Sequence, residues 1–475
     1  MCSIFLSTKE YDTEWWLKNL DDVNYYNKFR GPDDTNIIHA TVGWSSMQDM
    51  SGRTFEQKTV VSIVHNLLAI TGNFTKQPFI KDKILCLYNG EVYNYKSFGD
   101  FKSDGESLIY LYETYGDNFT TKIDGEFAIV LLDTKKDKLI ISSDIFKTKP
   151  LFYCDDDGLG VSTYGEPLKK IGHSNVKRFP ENTTRVYKLS TSKIINEFKV
   201  YDFDLNQHKN TLDDWNIAFE KSIKKRTSNT DKGIFLGLSS GYDSGAILCE
   251  LIKQNTKFKA YSVIGKVGLG PWSPIEDNDV LKRRHEIISK NLNGSYTTLY
   301  KDISVNKHHK ELLHERTEEF DAFIESSSSN YTEGWKLYDN TPAAWISLIC
   351  NKAIKDGKKV YLSGMGADEI FSDYGFNGDK IANHSNFGGY FPSDLKTIFP
   401  WKSFYNSTME SYLAKEEYAS GMWGVETRYP FLDKDVVQEF LWLNNNLKNK
   451  WYKSVLCNYL TKNNFPFNFE TKMGF

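Results

Sequence analysis

GIFLGLSSGYDSGAILCELIK, residues 233–253, decides how the second half of this chain folds. Residues 233–238 form an apolar run short enough for a buried strand, and a Ser/Gly turn follows at 239–244. Residues 243–253 then read as a helix. A strand that breaks through small residues straight into a helix opens a strand–helix–strand unit. The small residues at Gly237, Ser239, Ser240 and Gly241 let backbone N–H groups approach an anion, and the helix N-terminus adds a favourable dipole. Ser239, Ser240 and Ser244 contribute hydroxyl donors, and Asp243 is placed to hold Mg²⁺ against phosphate oxygens. The pattern GxxxxGK[ST] is absent, so this is no Walker loop. A plain strand-to-helix turn with an Asp cap would carry the same residues.

The alternation continues outward. A helix is expected over 214–226, strands over 258–264, 297–300 and 359–362, and helices over 279–291 and 343–355. That order predicts a doubly wound parallel sheet, whose ligands sit at the carboxyl ends of strands. A second loop, SGMGADE at 363–369, also follows an apolar strand and supplies another small-residue seat (Ser363, Gly364) and another carboxylate, Asp368. Upstream, short β-branched or aromatic runs at 84–88, 127–132, 139–143 and 151–154 alternate with Asn-Gly, Asp-Gly and Asp/Lys turns. With helical stretches at 12–19 and 104–115, the first half reads as a layered α+β domain. The polar stretch YDFDLNQHKNTLDD around 200–213 marks the boundary, giving domains 1–205 and 206–475.

Composition narrows the class. The chain has 475 residues, 40% apolar and 25% charged, with a net charge of −3, so no basic excess steers it to nucleic acid or anionic lipid. No apolar run approaches a membrane span, and the start MCSIFLSTKEYD lacks a basic segment before a long apolar one. Six scattered cysteines without metal spacing read as reduced thiols, and a cytoplasmic location is expected. The longest biased stretch, 326–330, is short enough to be a loop. His65 and the pair His308-His309 read as structural, because no partner stands at metal-ligand spacing.

One cysteine differs from the rest. Removal of Met1 would leave Cys2 with a thiol and a free α-amine on one residue, and the amine can act as base for its own sulfur. Read with the two loops, Cys2 completes an ordered set: MCSIF, Arg30-Gly31-Pro32-Asp33, YNGEVYN at 88–94, SDGE at 103–106, DGEFA at 124–128, SSGYDS at 239–244, SGMGADE at 363–369 and ETRYPFLD at 426–433. The set resembles the glutamine-dependent asparagine synthetases and their amide-forming relatives, over nearly the whole chain.

The resemblance implies an α/β/β/α glutaminase sandwich followed by an ATP-pyrophosphatase domain. Cys2 would attack the amide of glutamine through a thioester and release ammonia. Asn89 and Gly90 would form the oxyanion hole, Asp104 would pair with the α-ammonium, and Leu67 and Glu91 would complete the glutamine site. Ammonia would pass inside the protein to an AMP-activated aspartate. Gly237, Leu238, Ser239, Ser240, Gly241, Asp243, Ser244, Ile264, Ser363 and Gly364 would hold ATP, and Asp243 and Asp368 would ligate Mg²⁺. Lys450 matches the family's lysine near the phosphates, with Lys453 as the second choice. The resemblance leaves a homodimer open and implies no nucleic acid or membrane partner. Glu426 and Arg428 would orient the cleft or form a buried ion pair.

The chain departs from the family twice. At the family's HERL segment it reads His65-Asn66-Leu67-Leu68, and Leu67 cannot make the bidentate fork an Arg makes with the α-carboxylate. Arg53 or Lys76 could substitute. Met365 stands where a Glu would prepare ammonia for attack, and methionine transfers no proton. Either Glu369 takes over, or the acceptor is a carboxylate other than aspartate. A non-catalytic relative with the same architecture is the third reading.

Overall fold

The computed structural model describes residues 1–48, 54–265, 276–325 and 332–469, and the chain divides into two compact units, Met1–Asp202 and Phe203–Phe475. The stretch 326–330 and Arg53 lie outside the described residues.

In the first unit two six-stranded antiparallel sheets form. One runs in the order Lys177–Arg178, Phe152–Cys154, Gly160–Ser162, Ser3–Ser7, Thr54–Leu67, Asp34–Gln48. The other runs Lys193–Lys199, Thr183–Lys188, Lys138–Ser143, Gly125–Asp133, Ile84–Val92, Phe79–Lys81. Strand periodicity decides which side chains meet. Ile4, Leu6, Val61 and Ile63 from the first sheet share one core with Leu87, Val130, Leu132 and Ile141 from the second. Their neighbours face the other way. Tyr88, Phe127 and Ile129 pack with Leu108, Leu111 and Tyr112 of the helix Ser107–Tyr115. Phe5 and Val64 pack with Trp16 and Val23 of the helix Thr13–Val23. Each such side chain contributes about 1.5–3 kcal/mol on full burial.

The second unit contains a parallel sheet ordered Gly294–Lys301, Phe258–Gly265, Ile234–Gly237, Val360–Leu362, Glu426–Arg428. The chain starts at the central Ile234–Gly237, winds outward on one side, then returns to wind outward on the other. The switch falls between Ile234–Gly237 and Val360–Leu362, where doubly wound sheets open a crevice at their carboxyl ends. Both small-residue loops leave from these two strands. Helices Asp213–Thr227, Tyr242–Lys253, Asn278–Ser289 and Thr341–Lys355 lie within a few residues of the sequence expectation. No described helix is long and apolar enough to cross a membrane.

Candidate functional site

In the first unit Cys2 precedes the central strand Ser3–Ser7, and its environment is built by backbone. Leu68 N–H donates to Cys2 Sγ at 3.5 Å, and fully buried Arg30 donates to the Cys2 carbonyl at 3.3 Å. The segment 30–33 fixes the strand end that carries Leu68. Asp33 N–H donates to the Leu67 carbonyl and Asp33 Oδ2 accepts from Ala69 N–H, both at 2.9 Å. Gly31 is required because a Cβ there would stand 2.2 Å from Asn66 O. Leu67 is buried, Lys76 is exposed, and neither supplies a guanidinium-like fork.

Ser3–Ser7 lies against Ile84–Val92, the strand that carries Asn89, Gly90 and Glu91. Asn89 is fully buried, yet its Oδ1 and Nδ2 have no hydrogen-bond partner among the described residues. A buried amide left unmet costs about 1–3 kcal/mol per group, so this side chain is held for something other than packing. Gly90 has φ +145°, and a Cβ would meet Glu126 O at 1.9 Å. Asp104 Oδ2 accepts from Tyr88 OH at 2.7 Å and Val92 N–H at 2.9 Å, and Glu91 accepts from Thr71 at 2.7 Å. Thr71 is a contributor that spacing alone did not single out, whereas Arg30 belongs to the motif at 30–33.

His65 and His309 are core residues. His65 bonds the Tyr88 carbonyl at 3.1 Å and is pushed down to about 4 by burial, which outweighs that bond and the Asp34 charge. His309 bonds Ser347 Oγ at 2.8 Å. Glu426 and Arg428 form a buried ion pair at 2.7 Å, and Arg428 also donates to the Arg226 carbonyl.

The second site lies at the switch of the parallel sheet. Leu238 N–H donates to Tyr261 O at 2.8 Å, Ser239 and Ser244 hydroxyls meet at 3.0 Å, and Gly241 N–H donates to Ser239 Oγ at 3.1 Å. Buried Arg284 donates to the carbonyls of Ser239 at 2.5 Å and Gly241 at 2.9 Å. That clamp turns the loop carbonyls to one side. A carboxylate already uses the loop donors, since Glu276 Oε2 accepts the Ser240 N–H and hydroxyl at 2.6 Å each. Ile264 sits near the end of the neighbouring strand, lining a cavity of about 440 Å³ with Leu281, His285 and Tyr296.

The two loops converge on one cation. Lys453 Nζ lies 2.7 Å from Asp243 Oδ1 and 3.0 Å from Asp368 Oδ1, and Tyr452 OH donates to Asp368 at 2.9 Å. Burial opposes the Lys453 charge, but the two carboxylates more than offset it and hold its pKa above the ordinary value. Lys453 has φ +44°, an uncommon conformation for a side chain of this size, which aims the ammonium. Lys450 lies 4.2 Å from the Trp451 ring centroid instead. Gly364 allows the approach of the loops, since a Cβ there would be 3.0 Å from Asp243 Cβ. Ser363 Oγ accepts Met365 N–H at 3.1 Å, and Met365 itself is half-buried. Arg284 and Tyr452 had no local signal, because their partners are backbone carbonyls or acids far away in sequence.

Comparison with known proteins gives a consistent likeness. Residues 1–193 match the family described as a glutamine amidotransferase domain. The chain is 25% identical to asparagine synthetase [glutamine-hydrolyzing] 1 of Methanocaldococcus jannaschii, covering 86% of this chain and 75% of that protein. It is 25% identical to the Schizosaccharomyces pombe asparagine synthetase over 82% of this chain and 69% of that one. It is 26% identical to the Mus musculus enzyme over 84% and 74%. The chain resembles this family across most of its length.

Proposed function

We infer that the chain is a glutamine-hydrolysing asparagine synthetase, a ligase with a glutaminase domain over 1–205 and a synthetase domain over 206–475. The break after Asp202 supports that division. The core shared by both sheets, with helices closing the outer faces, supports an α/β/β/α layering. The observation that carries the reading is the buried Lys453 joining the acids of two loops at the ends of adjacent parallel strands.

Cys2 attacks the side-chain amide of glutamine, forming a thioester and releasing ammonia. The unmet Asn89 amide and the Gly90 N–H receive the developing oxyanion, Glu91 and Asp104 receive the α-ammonium side of the substrate, and Leu67 forms an apolar wall. In the second unit Gly237, Leu238, Ser239, Ser240, Gly241 and Ser244 cradle ATP phosphates, with Ser363 and Gly364 on the facing loop and Ile264 toward the base. Aspartate attacks the α-phosphorus, pyrophosphate leaves, and ammonia then displaces AMP. Lys453, held between Asp243 and Asp368, offsets the charge that leaves with pyrophosphate, while Lys450 lies over the Trp451 ring.

Asp243 and Asp368 fit Mg²⁺: both are oxygen donors converging on one positive centre, and substrate phosphates complete such sites. Bound there, the ion would neutralise phosphate charge.

The test is a product analysis. Purified protein with ATP, Mg²⁺, glutamine and aspartate should yield asparagine, AMP and pyrophosphate in equal amounts. Met365 is the one observation that favours another acceptor, so a panel of carboxylic acids belongs in the same experiment. Pyrophosphate release that ignores aspartate and follows another acid would select that reading.

A further inference from the structure

Behind the second loop lies a group of ionisable side chains that the steps above leave unused. Glu416, on the helix Thr408–Gly421, and Glu369, on the short helix Ala367–Phe371, are both buried, at 6% and 1% exposure. In each, Oε2 has no hydrogen-bond partner among the described residues. The hydroxyl of Ser363 donates to the Glu416 carboxylate, tying it to the loop that carries Met365. Lys415, also buried, lies 4.4 Å from the Tyr412 ring centroid and is coupled electrostatically to both acids.

The charges around Glu416 come from each neighbouring element. Lys415 and Glu417 share its helix, Glu369 faces it from the loop, and Cys350 and Tyr361 feel its charge from Thr341–Lys355 and Val360–Leu362. Burial, the largest influence, pushes the Glu416 carboxyl up to about 7, against the Ser363 bond and the Lys415 charge. A buried acid with an unmet oxygen costs stability that an apolar side chain of the same size would not. A proton acceptor that ionises near neutrality is also what attack by an amine requires.

We propose that Glu416 accepts, through Oε2, the proton that the nitrogen nucleophile loses as the amide forms, the task Met365 cannot perform. The inference rests on the synthetase reading above. The N–C bond forms, the acyl C–O bond breaks with its electron pair leaving on AMP, and the N–H proton passes to the carboxylate.

The experiment compares full-length wild type, Glu416→Gln and Glu416→Asp with ATP, Mg²⁺ and aspartate. Single-turnover pyrophosphate release without a nitrogen source reads adenylation, and asparagine formed from ammonium between pH 6 and 8 reads the proton step. Glu416→Gln should lower asparagine formation by at least about 100-fold and remove its rise with pH, with pyrophosphate release changed by less than about threefold. Glu416→Asp should recover about 10-fold of the loss. Asparagine formation close to wild type in Glu416→Gln overturns the proposal, and so does a parallel loss of pyrophosphate release. Wild type that forms no asparagine refutes the synthetase reading instead.

Discussion

Asn89 and Lys453 show opposite solutions to burying a polar group. Asn89 is buried with its amide unmet among the described residues, whereas Lys453 is buried with its charge met by two carboxylates. In the proposed function a substrate oxygen completes the first arrangement, so Asn89→Ala should cut glutamine hydrolysis by about 10²–10³-fold, measured as glutamate release. Ammonium-supported synthesis should stay near wild type; an equal loss of both would remove Asn89 from the oxyanion role. The second arrangement balances the repulsion between Asp243 and Asp368. Lys453→Met should lower pyrophosphate release by at least about 100-fold, while Lys450→Met should change it by less than about threefold. The reverse order would return the role to Lys450. Sequence spacing could not choose between these lysines, because the choice depends on the φ of +44° that turns Lys453 toward the loops.

At the scale of elements, the strand–helix alternation of 233–253 and its successors was legible because buried parallel strands are short apolar runs and their helices are longer and periodic. The hairpin of Asp34–Gln48 and Thr54–Leu67 was not, since its segment 34–41 mixes Asp, Asn, His and Thr with few apolar side chains. Its strand order comes from cross-strand pairing with Ser3–Ser7, which no local pattern reports. His65 shows what the pairing accomplishes, since it reaches from this hairpin to the Tyr88 carbonyl in the other sheet. The fold lowers its pKa from 6.5 to about 4, so the neutral ring is the favoured form. That contribution is complete above pH 6.5 and is lost as pH falls toward about 4, on the order of 3 kcal/mol. Thermal midpoints at pH 7 and 4.5 should therefore fall further in wild type than in His65→Gln. Equal falls would show that His65 does not carry the acid sensitivity.

For the whole molecule, the candidate site residues were readable as an ordered set of short motifs, each at a strand end or turn where small residues and acids have a backbone reason to stand. The residues that support them, Arg284, Tyr452 and Glu416, belong to helices or their flanks and act on partners distant in sequence, so only the assembled fold brings them into view. In the proposed function, nitrogen released by one unit is consumed by chemistry belonging to the other. The most direct measurement is asparagine formation by Cys2→Ala, supplied first with glutamine and then with ammonium. No product from glutamine with a near-wild-type rate from ammonium is the predicted result; loss of both together, or retained use of glutamine, would contradict it.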